Sequence, residues 1–329
     1  MKVLIFEYIT GGGFNKQELP DALTREGRLM LQALLENFFE INGIELLVML
    51  DYRLVGALRL GNAGIATINP EHDSHEEFAR LARQCDAAWP IAPEFDGILE
   101  GLCRAVEQDT LLLTSAAEAV AITGNKLLTY QHLVRHHIAT VPTELLSEAG
   151  FYPGEWMIKS IDGAGCSKSY LITDQQAFDA ALRQSGQFII QPHLNGKKTS
   201  LSCLFKQGRA WLLSVNLQRF KIVDRQYQLL AIIVNHNPDS GLYQSLADNI
   251  ARAFPDLWGY AGIDLIETAE QTLVLEINPR LTTSFAGIHD ALGINVAEQV
   301  LRLPDGEPDI KAIDKQSISI RVNQYDADA

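Results

Sequence analysis

Tyr260-Ala-Gly-Ile-Asp-Leu-Ile-Glu-Thr-Ala-Glu-Gln-Thr-Leu-Val-Leu-Glu-Ile-Asn-Pro-Arg280 holds two strand-like apolar runs around a short polar break. Ala269–Gln271 has the length of a common three-residue hairpin loop. With that loop Thr268 faces Thr272, Leu265 faces Leu275 and Ile263 faces Ile277. Ile263, Leu265, Leu273, Leu275 and Ile277 then share one face, which must be core. Asp264 stands directly opposite Glu276 on the other face, with Asn278 two residues further along. Like charges opposed across a sheet destabilise it, and a bound divalent cation removes the penalty. Oxygen-only ligands of this kind suit magnesium, with phosphates and water completing the shell. Pro279 ends the ladder and frees Arg280 to point into the same cleft. The plain alternative is a surface hairpin with an acidic outer face. The Asn and Arg that follow a strongly apolar alternate face weigh against it.

Outward from this hairpin, long strands dominate the C-terminal part: Ser200–Phe205, Ala210–Leu217 and Gln228–Val234, with a helix over Leu242–Phe254 and a return strand near Ser317–Val322. Ala116 to Gln191 reads as a smaller mixed unit, with a helix starting near Gly124-Asn125 and a hairpin around Asp162–Lys168. The first ~115 residues alternate strand and helix, which implies a parallel sheet with crossovers. Its strand ends, Glu7–Gly13, Asp51–Arg53 and Pro90–Glu94, are where such sheets bind ligands. The expected division is 1–115, 116–191 and 192–329, in an α/β (α+β) chain.

Several cations and glycines fall at places suited to anions. Lys126 follows Thr123-Gly124-Asn125, a helix start with Thr123 or Asn125 as cap. A lysine there opposes the helix dipole, so it is either solvated or set beside a phosphate. Lys159 ends a strand and is followed by Ser160-Ile-Asp-Gly-Ala-Gly-Cys-Ser-Lys168. Glycines in that loop let backbone N–H groups close over an anion, although the loop alone could be an ordinary turn. Gln187–Pro192 reads as a strand and His193–Gly196 as a hinge, either a linker or an edge for adenine. Gly11–Gly13, after the first strand, is a flexible loop or a backbone cradle for a substrate carboxylate, with Glu7 or Asp51 near an incoming amine.

Composition bounds the partners. The 329 residues carry 27 Lys and Arg against 41 Asp and Glu, a formal charge of −14. That disfavours nucleic acid, and no stretch approaches the ~18 apolar residues of a membrane span. Cys85, Cys103, Cys166 and Cys203 are too scattered for a disulfide framework or a zinc knuckle. With no signal peptide read at the N-terminus, the expectation is a cytoplasmic protein. The helical pair His132 and His136 is expected to be structural rather than a zinc site.

The order of these motifs resembles the ATP-grasp superfamily: a helix-start lysine, a strand lysine with a Gly-rich loop, a hinge, then an Asp…Glu-x-Asn hairpin. The resemblance spans roughly Ala116 to Leu303. It implies a Rossmann-like pre-ATP-grasp domain followed by a two-part ATP-grasp fold. It further implies that Lys126 and Lys159 contact ATP phosphates, that the loop with Gly163, Gly165 and Lys168 covers them, and that Gln191 and Leu194 bracket adenine. Asp264, Glu276 and Asn278 would hold one or two magnesium ions, with manganese as a substitute. Arg280 and Lys159 would be the catalytic cations. Where many members carry glutamates at and beyond the hinge, this chain has Gln191 and Lys197-Lys198-Thr199, so the ribose contact is unassigned. The start Lys2-Val-Leu-Ile-Phe-Glu-Tyr-Ile-Thr-Gly-Gly-Gly-Phe14 is similar to ATP-grasp ligases that join tyramine to glutamate on the way to methanofuran. Glu7, Gly11, Gly12, Gly13 and Asp51 would then meet the small carboxylate and amine substrates, in a monomer or a homodimer. The rivals are a ligase for another amino acid or peptide, and a non-catalytic module that senses ATP.

Overall fold

The computed structural model describes residues 1–163, 169–237 and 241–322. Strand β1 (Lys2–Glu7) carries Val3, Leu4, Ile5 and Phe6 with no exposed surface, as a strand covered on both faces requires. It is followed by α1 (Asp21–Phe39), β2 (Glu45–Asp51), β3 (Gly64–Ile68), α2 (Ser74–Ala82), β4 (Ala87–Ile91), α3 (Ile98–Val106) and β5 (Leu111–Leu112). The five strands form a parallel sheet in the order β3-β2-β1-β4-β5. The chain leaves β1 first to one side and later to the other, so the crevice of the sheet opens at the carboxyl ends of β1 and β4. Strand β3 escapes sequence reading because it is an edge strand whose only buried residue is Ile68.

Next come α4 (Ala117–Thr123) and α5 (Lys126–Arg135). A four-stranded antiparallel sheet, β6-β9-β7-β8, is built from β6 (Glu144–Leu145), β7 (Trp156–Ser160), β8 (Ser169–Ile172) and β9 (Phe188–Pro192), with α6 (Gln175–Leu182) before β9. Its own small core contains Leu146, Ile158, Phe178 and Ile190. The helices before it pack elsewhere. Ala117 and Val120 of α4 join the core of the parallel sheet, and Leu133 of α5 joins that of the C-terminal sheet. The small sheet therefore begins at Glu144, well after the expected boundary at residue 116.

The C-terminal sheet is antiparallel, in the order β14-β13-β10-β11-β12-β15. It comprises β10 (Lys197–Lys206), β11 (Arg209–Val223), β12 (Gln226–Val234), β13 (Gly259–Glu267), β14 (Thr272–Asn278) and β15 (Ile318–Arg321). Helix α7 (Gly241–Ala253) covers one face through Ala247, Ile250 and Ala251. The helices α8 (Ile288–Leu292) and α9 (Val296–Arg302) share a core with α1 and the parallel sheet, in which Leu31, Leu34, Phe38 and Trp89 meet Phe285, Ile288 and Val300. Among the described residues no helix is long and apolar enough to cross a membrane.

The hairpin β13–β14 pairs Asp264 with Glu276, Ile263 with Ile277 and Gly262 with Asn278. Near the turn the expected register fails by one residue. Glu267 pairs with Thr272, so four residues turn the chain instead of three, and the register shifts between Asp264 and Leu265. The bulge at Leu275 absorbs the extra residue. It also corrects the expected core face. Ile263, Leu265, Val274 and Ile277 lie in the core under α7, whereas Leu273 clusters with Val141 and Ile266 and Leu275 packs against them, on the side of the cleft.

Candidate active site

Asn125 caps α5, accepting from the N–H groups of Leu127 at 3.1 Å and Leu128 at 3.0 Å, so Thr123 is not the cap. The cap fixes Lys126 in the first helical turn. Its N–H donates to the carbonyl of Ile161 at 2.8 Å, and its Nζ donates to the carbonyl of Gly163 at 2.6 Å. The same Nζ lies 3.2 Å from Glu276 Oε2. A cation that would be poorly placed on a bare helix start is thus held between the small sheet and the carboxylate hairpin.

Lys126, Lys159, Gly163, Gln191, Leu194, Asp264 and Glu276 line one cleft between the two antiparallel sheets. Val141, Met157, Ile266 and Leu275 give this cleft an apolar wall. Asp264, Glu276, Lys126, Lys159 and Lys198 give it charge. Gln191 is buried and spends its Nε2 on Thr143 Oγ1 at 2.8 Å, so its side chain braces the hinge. Gly165 and Lys168 lie outside the described residues.

Burial pushes the Asp264 carboxyl well above its ordinary range, and the neighbouring Glu276 charge adds to this. Glu276 moves the opposite way. Burial opposes its charge, but Lys126 and then Lys159 outweigh that and hold it low. Gln218 Nε2 donates to Asp264 Oδ1 at 2.9 Å, and Asn278 Nδ2 to Asp264 Oδ2 at 3.3 Å. Two carboxylates and an amide oxygen on adjoining strands are a donor set for a hard cation such as magnesium. Among the described residues no group of three or more His, Cys, Asp or Glu converges as a metal cluster, so phosphate and water oxygens would have to complete such a shell.

Arg280 turns toward the parallel sheet. Its Nε and Nη2 reach Glu94 Oε1 and Oε2 at 2.9 and 3.0 Å, and its Nη1 donates to the carbonyl of Leu281 at 3.1 Å. Both partners of this fork-shaped pair are nearly buried. Glu26 of α1 lies in the field of Arg280 and accepts from Thr283 Oγ1 at 2.7 Å; burial raises its carboxyl. Glu7, at the end of β1, is 2% exposed and accepts from the N–H and Oγ1 of Thr10 at 2.7 and 2.6 Å. Burial pushes Glu7 up to about 7 against the pull of Thr10, Ile9 and Arg280.

Two expectations on this side are corrected. The N–H groups of Gly11 and Gly13 already donate to the carbonyls of Glu7 at 2.6 Å and Tyr8 at 2.8 Å, so neither is available to cradle a carboxylate. These glycines serve close packing, since a Cβ would meet the Phe6 ring at Gly11, Ile68 at Gly12 and the Tyr8 ring at Gly13. Gly12 also has a φ of 103°, which favours glycine. Asp51 has no exposed surface and is locked to Arg53, with Arg53 Nε and Nη2 at 2.8 and 2.7 Å. Arg53 in turn donates to the carbonyls of Phe14 and Gln17, both at 2.7 Å, so this pair ties down a loop and is not open to an amine.

Sequence reading missed Glu26, Gln218 and Tyr227, and named Glu94 only as part of a strand end and Lys198 only as a departure from the family pattern. Period-two alternation along β10 could have placed Lys198 beside Ser200 on the Asp264 face, once β10 was paired with β13. Glu94 and Glu26 become neighbours of Arg280 only through tertiary packing.

A family model described as an ATP-grasp domain matches residues 123–284, and one described as a pre ATP-grasp 3 domain matches residues 44–120. The chain is 26% identical over 289 residues to the tyramine–L-glutamate ligase of Methanocaldococcus jannaschii, covering 87% of this chain and 84% of that one. Among solved structures, an ATP-grasp superfamily protein from Archaeoglobus fulgidus superposes with a TM-score of 0.71 at 21% identity, over 98% of this chain and 92% of that chain. The biotin carboxylase domain of Hydrogenobacter thermophilus 2-oxoglutarate carboxylase, solved with MgADP, superposes with a TM-score of 0.69 at 15% identity, over 96% and 71%.

Proposed function

Because the chain belongs to the ATP-grasp superfamily, we propose that it is an ADP-forming ligase that joins a carboxylate to an amine through an acyl phosphate, with the glutamate side chain and tyramine as the pair. The observation that carries this reading is the meeting of Lys126, Lys159 and the opposed Asp264–Glu276 pair in one cleft. The substrate pair is supported by the likeness to tyramine–L-glutamate ligase.

A carboxylate is a poor acyl donor at neutral pH. Its oxygen attacks the γ-phosphorus of ATP, the bond to the bridging oxygen breaks, and ADP leaves with that electron pair. The amine nitrogen then attacks the acyl carbon, the C–O bond to the phosphoryl group breaks, inorganic phosphate leaves and the nitrogen gives up a proton. Lys126 and Lys159 neutralise charge on the transferred group, so the protein chiefly positions and stabilises. Asp264, Glu276 and Asn278 would hold magnesium, which supplies Lewis-acid neutralisation of the phosphoryl oxygens. Arg280, held flat by Glu94, faces the negative charge that develops at the acyl group.

The test is ADP release with glutamate and tyramine supplied singly and together, the product being weighed by mass spectrometry. ADP that requires both, with a joined product, supports the reading. Release with a different amine instead moves the protein to another ligase, and no release with any carboxylate–amine pair points to a nucleotide sensor.

A further inference from the structure

The turn that follows β4 touches both other units of the fold. Glu94 opens it and forks the guanidinium of Arg280 at 2.9 and 3.0 Å. The stem of the same side chain packs on Gly124, where an added Cβ would come within 3.1 Å of Glu94 Cβ and Cγ, so it also lies against the start of the helix that carries Lys126. Two residues beyond Glu94, Asp96 takes a φ of 55° and Gly97 one of 66°. Asp is among the few side chains that accept the left-handed region, and in that conformation the Asp96 N–H donates to Asp162 Oδ2 at 3.0 Å. Asp162 follows β7 of the small sheet. Its Oδ1 accepts from Ser160 Oγ at 2.8 Å, next to Lys159. The carbonyls on either side of Asp162, those of Ile161 and Gly163, are the ones that accept from Lys126. Lys159 and Gly163 line the cleft, whereas the Asp162 carboxylate is spent on Ser160 and on the turn of the parallel sheet.

We propose that the Asp96–Asp162 contact is a clasp that registers the small sheet, and with it Lys159, against Arg280, which makes Asp162 a positioning residue for phosphoryl transfer. This rests on the ligase reading of the cleft. Lys159 is carried by β7 of the small sheet and Arg280 by the chain just beyond β14, so the two cations belong to different units. Transfer requires a carboxylate oxygen to come within about 3–3.5 Å of the phosphorus, and a displacement of about 1 Å can cost a hundredfold in rate. Glu94 holds Arg280 and Asp96 holds Asp162 from one short stretch of backbone. That stretch is closed on itself, since the N–H of Gly97 donates to the carbonyl of Glu94 and that of Leu99 to the carbonyl of Pro93, both at 3.2 Å. Its end at Asp96 is a charge-assisted bond to a carboxylate, stronger than one between neutral groups. The donor is the backbone of Asp96, so the requirement falls on an acceptor at 162 and on a residue at 96 that takes the left-handed conformation.

The experiment compares the wild-type chain, Asp162→Ala, Asp162→Asn and Asp96→Gly at saturating ATP, glutamate and tyramine, with ATP affinity measured separately by calorimetry. Asp162→Ala removes the acceptor and is expected to lower kcat for ADP release about ten- to hundredfold while ATP affinity stays within about threefold. Asn keeps an oxygen for the Asp96 N–H, and Gly keeps both the N–H and the left-handed backbone, so both variants should hold kcat within about threefold of wild type. The clasp is also read without substrates, as amide hydrogen exchange over Phe95–Gly97, which should be faster in Asp162→Ala than in the other three proteins. Unchanged exchange or unchanged kcat in Asp162→Ala overturns the proposal. So does Asp162→Asn as slow as Asp162→Ala, because the charge and not the contact would then matter. A loss of ATP affinity that matches the loss of kcat overturns it too, since it assigns Asp162 to nucleotide binding. A wild-type chain that releases no ADP with this pair, while exchange still follows the clasp, instead removes the substrate pair proposed above and the positioning role with it.

Discussion

Replacing Glu7 by Gln should make the protein more stable at neutral and alkaline pH, although it removes a charged group from the ligand-binding end of the parallel sheet. Glu7 is 2% exposed at the carboxyl end of β1, and its carboxylate lies flush against Gly27 of α1, where a Cβ would come within 2.5 Å of Oε2. Burial raises its folded pKa from 4.5 to about 7. Between those two values the native protein keeps a proton that the unfolded chain has released, so stability falls as pH rises through the window. Two and a half units correspond to about 3 kcal/mol of differential stability, present at low pH and lost above the folded pKa. Gln retains an oxygen for the N–H and hydroxyl of Thr10, and it has no charge to desolvate. The assay is urea unfolding of wild type and Glu7→Gln at intervals from about pH 4.5 to 8.5, read as the difference between the two. The difference should be small at the acid end and should grow toward about 3 kcal/mol in favour of the variant above pH 7. A flat difference, or wild type gaining on the variant as pH rises, would refute the reasoning.

Glu276→Gln removes the partner of Lys126 and one of two opposed carboxylates; turnover measured as ADP release should fall at least about a hundredfold with the circular dichroism spectrum unchanged. Undiminished turnover would take the metal and phosphate assignment with it. Glu94→Gln leaves Arg280 buried without its counter-charge, and breaking such a pair costs about 3 kcal/mol. A lowered urea midpoint should therefore accompany a lowered kcat, with little change in the KM for ATP. Gly12→Val places a side chain at a φ of 103° and within 2.5 Å of Ile68, so the melting temperature should drop by several degrees or the protein should fail to fold.

The large features were readable because they are local. The apolar run after the Ala269–Gln271 break is β14, and the pairing of Asp264 with Glu276 followed from counting along two strands. The count nevertheless reached the correct pair through two compensating local differences, a longer turn and a bulge at Leu275, and neither has a signal in the apolar pattern. Lys126 was identifiable as a misplaced charge on a helix start, and its three partners show why it is tolerated there. The substrate side was less legible. A run of glycines is equally a cradle and a packing device, and only the neighbours Phe6, Ile68 and Tyr8 decide between them. Asp51 looked available because its partner Arg53 is two residues away, where sequence reading does not count a salt bridge. Glu94 and Arg280 are separated by 186 positions, beyond any periodicity argument.

The core that α1 shares with α8 and α9 bears on how this polypeptide could be taken apart. Phe38 and Leu34 on one side, and Phe285, Ile288 and Val300 on the other, fill a single interior. Asn37 seals it by accepting from Asn295 Nδ2 at 2.7 Å and from the N–H of Ala297 at 3.3 Å. Expressed alone, a fragment ending near residue 115 would wet its half of that interior, and so would the complementary fragment. Each such large apolar side chain left in water forfeits roughly 2 kcal/mol. Mixed together, the two pieces should find each other and reconstitute, so the joint that looks like a domain border in the sequence would behave as a split-protein interface.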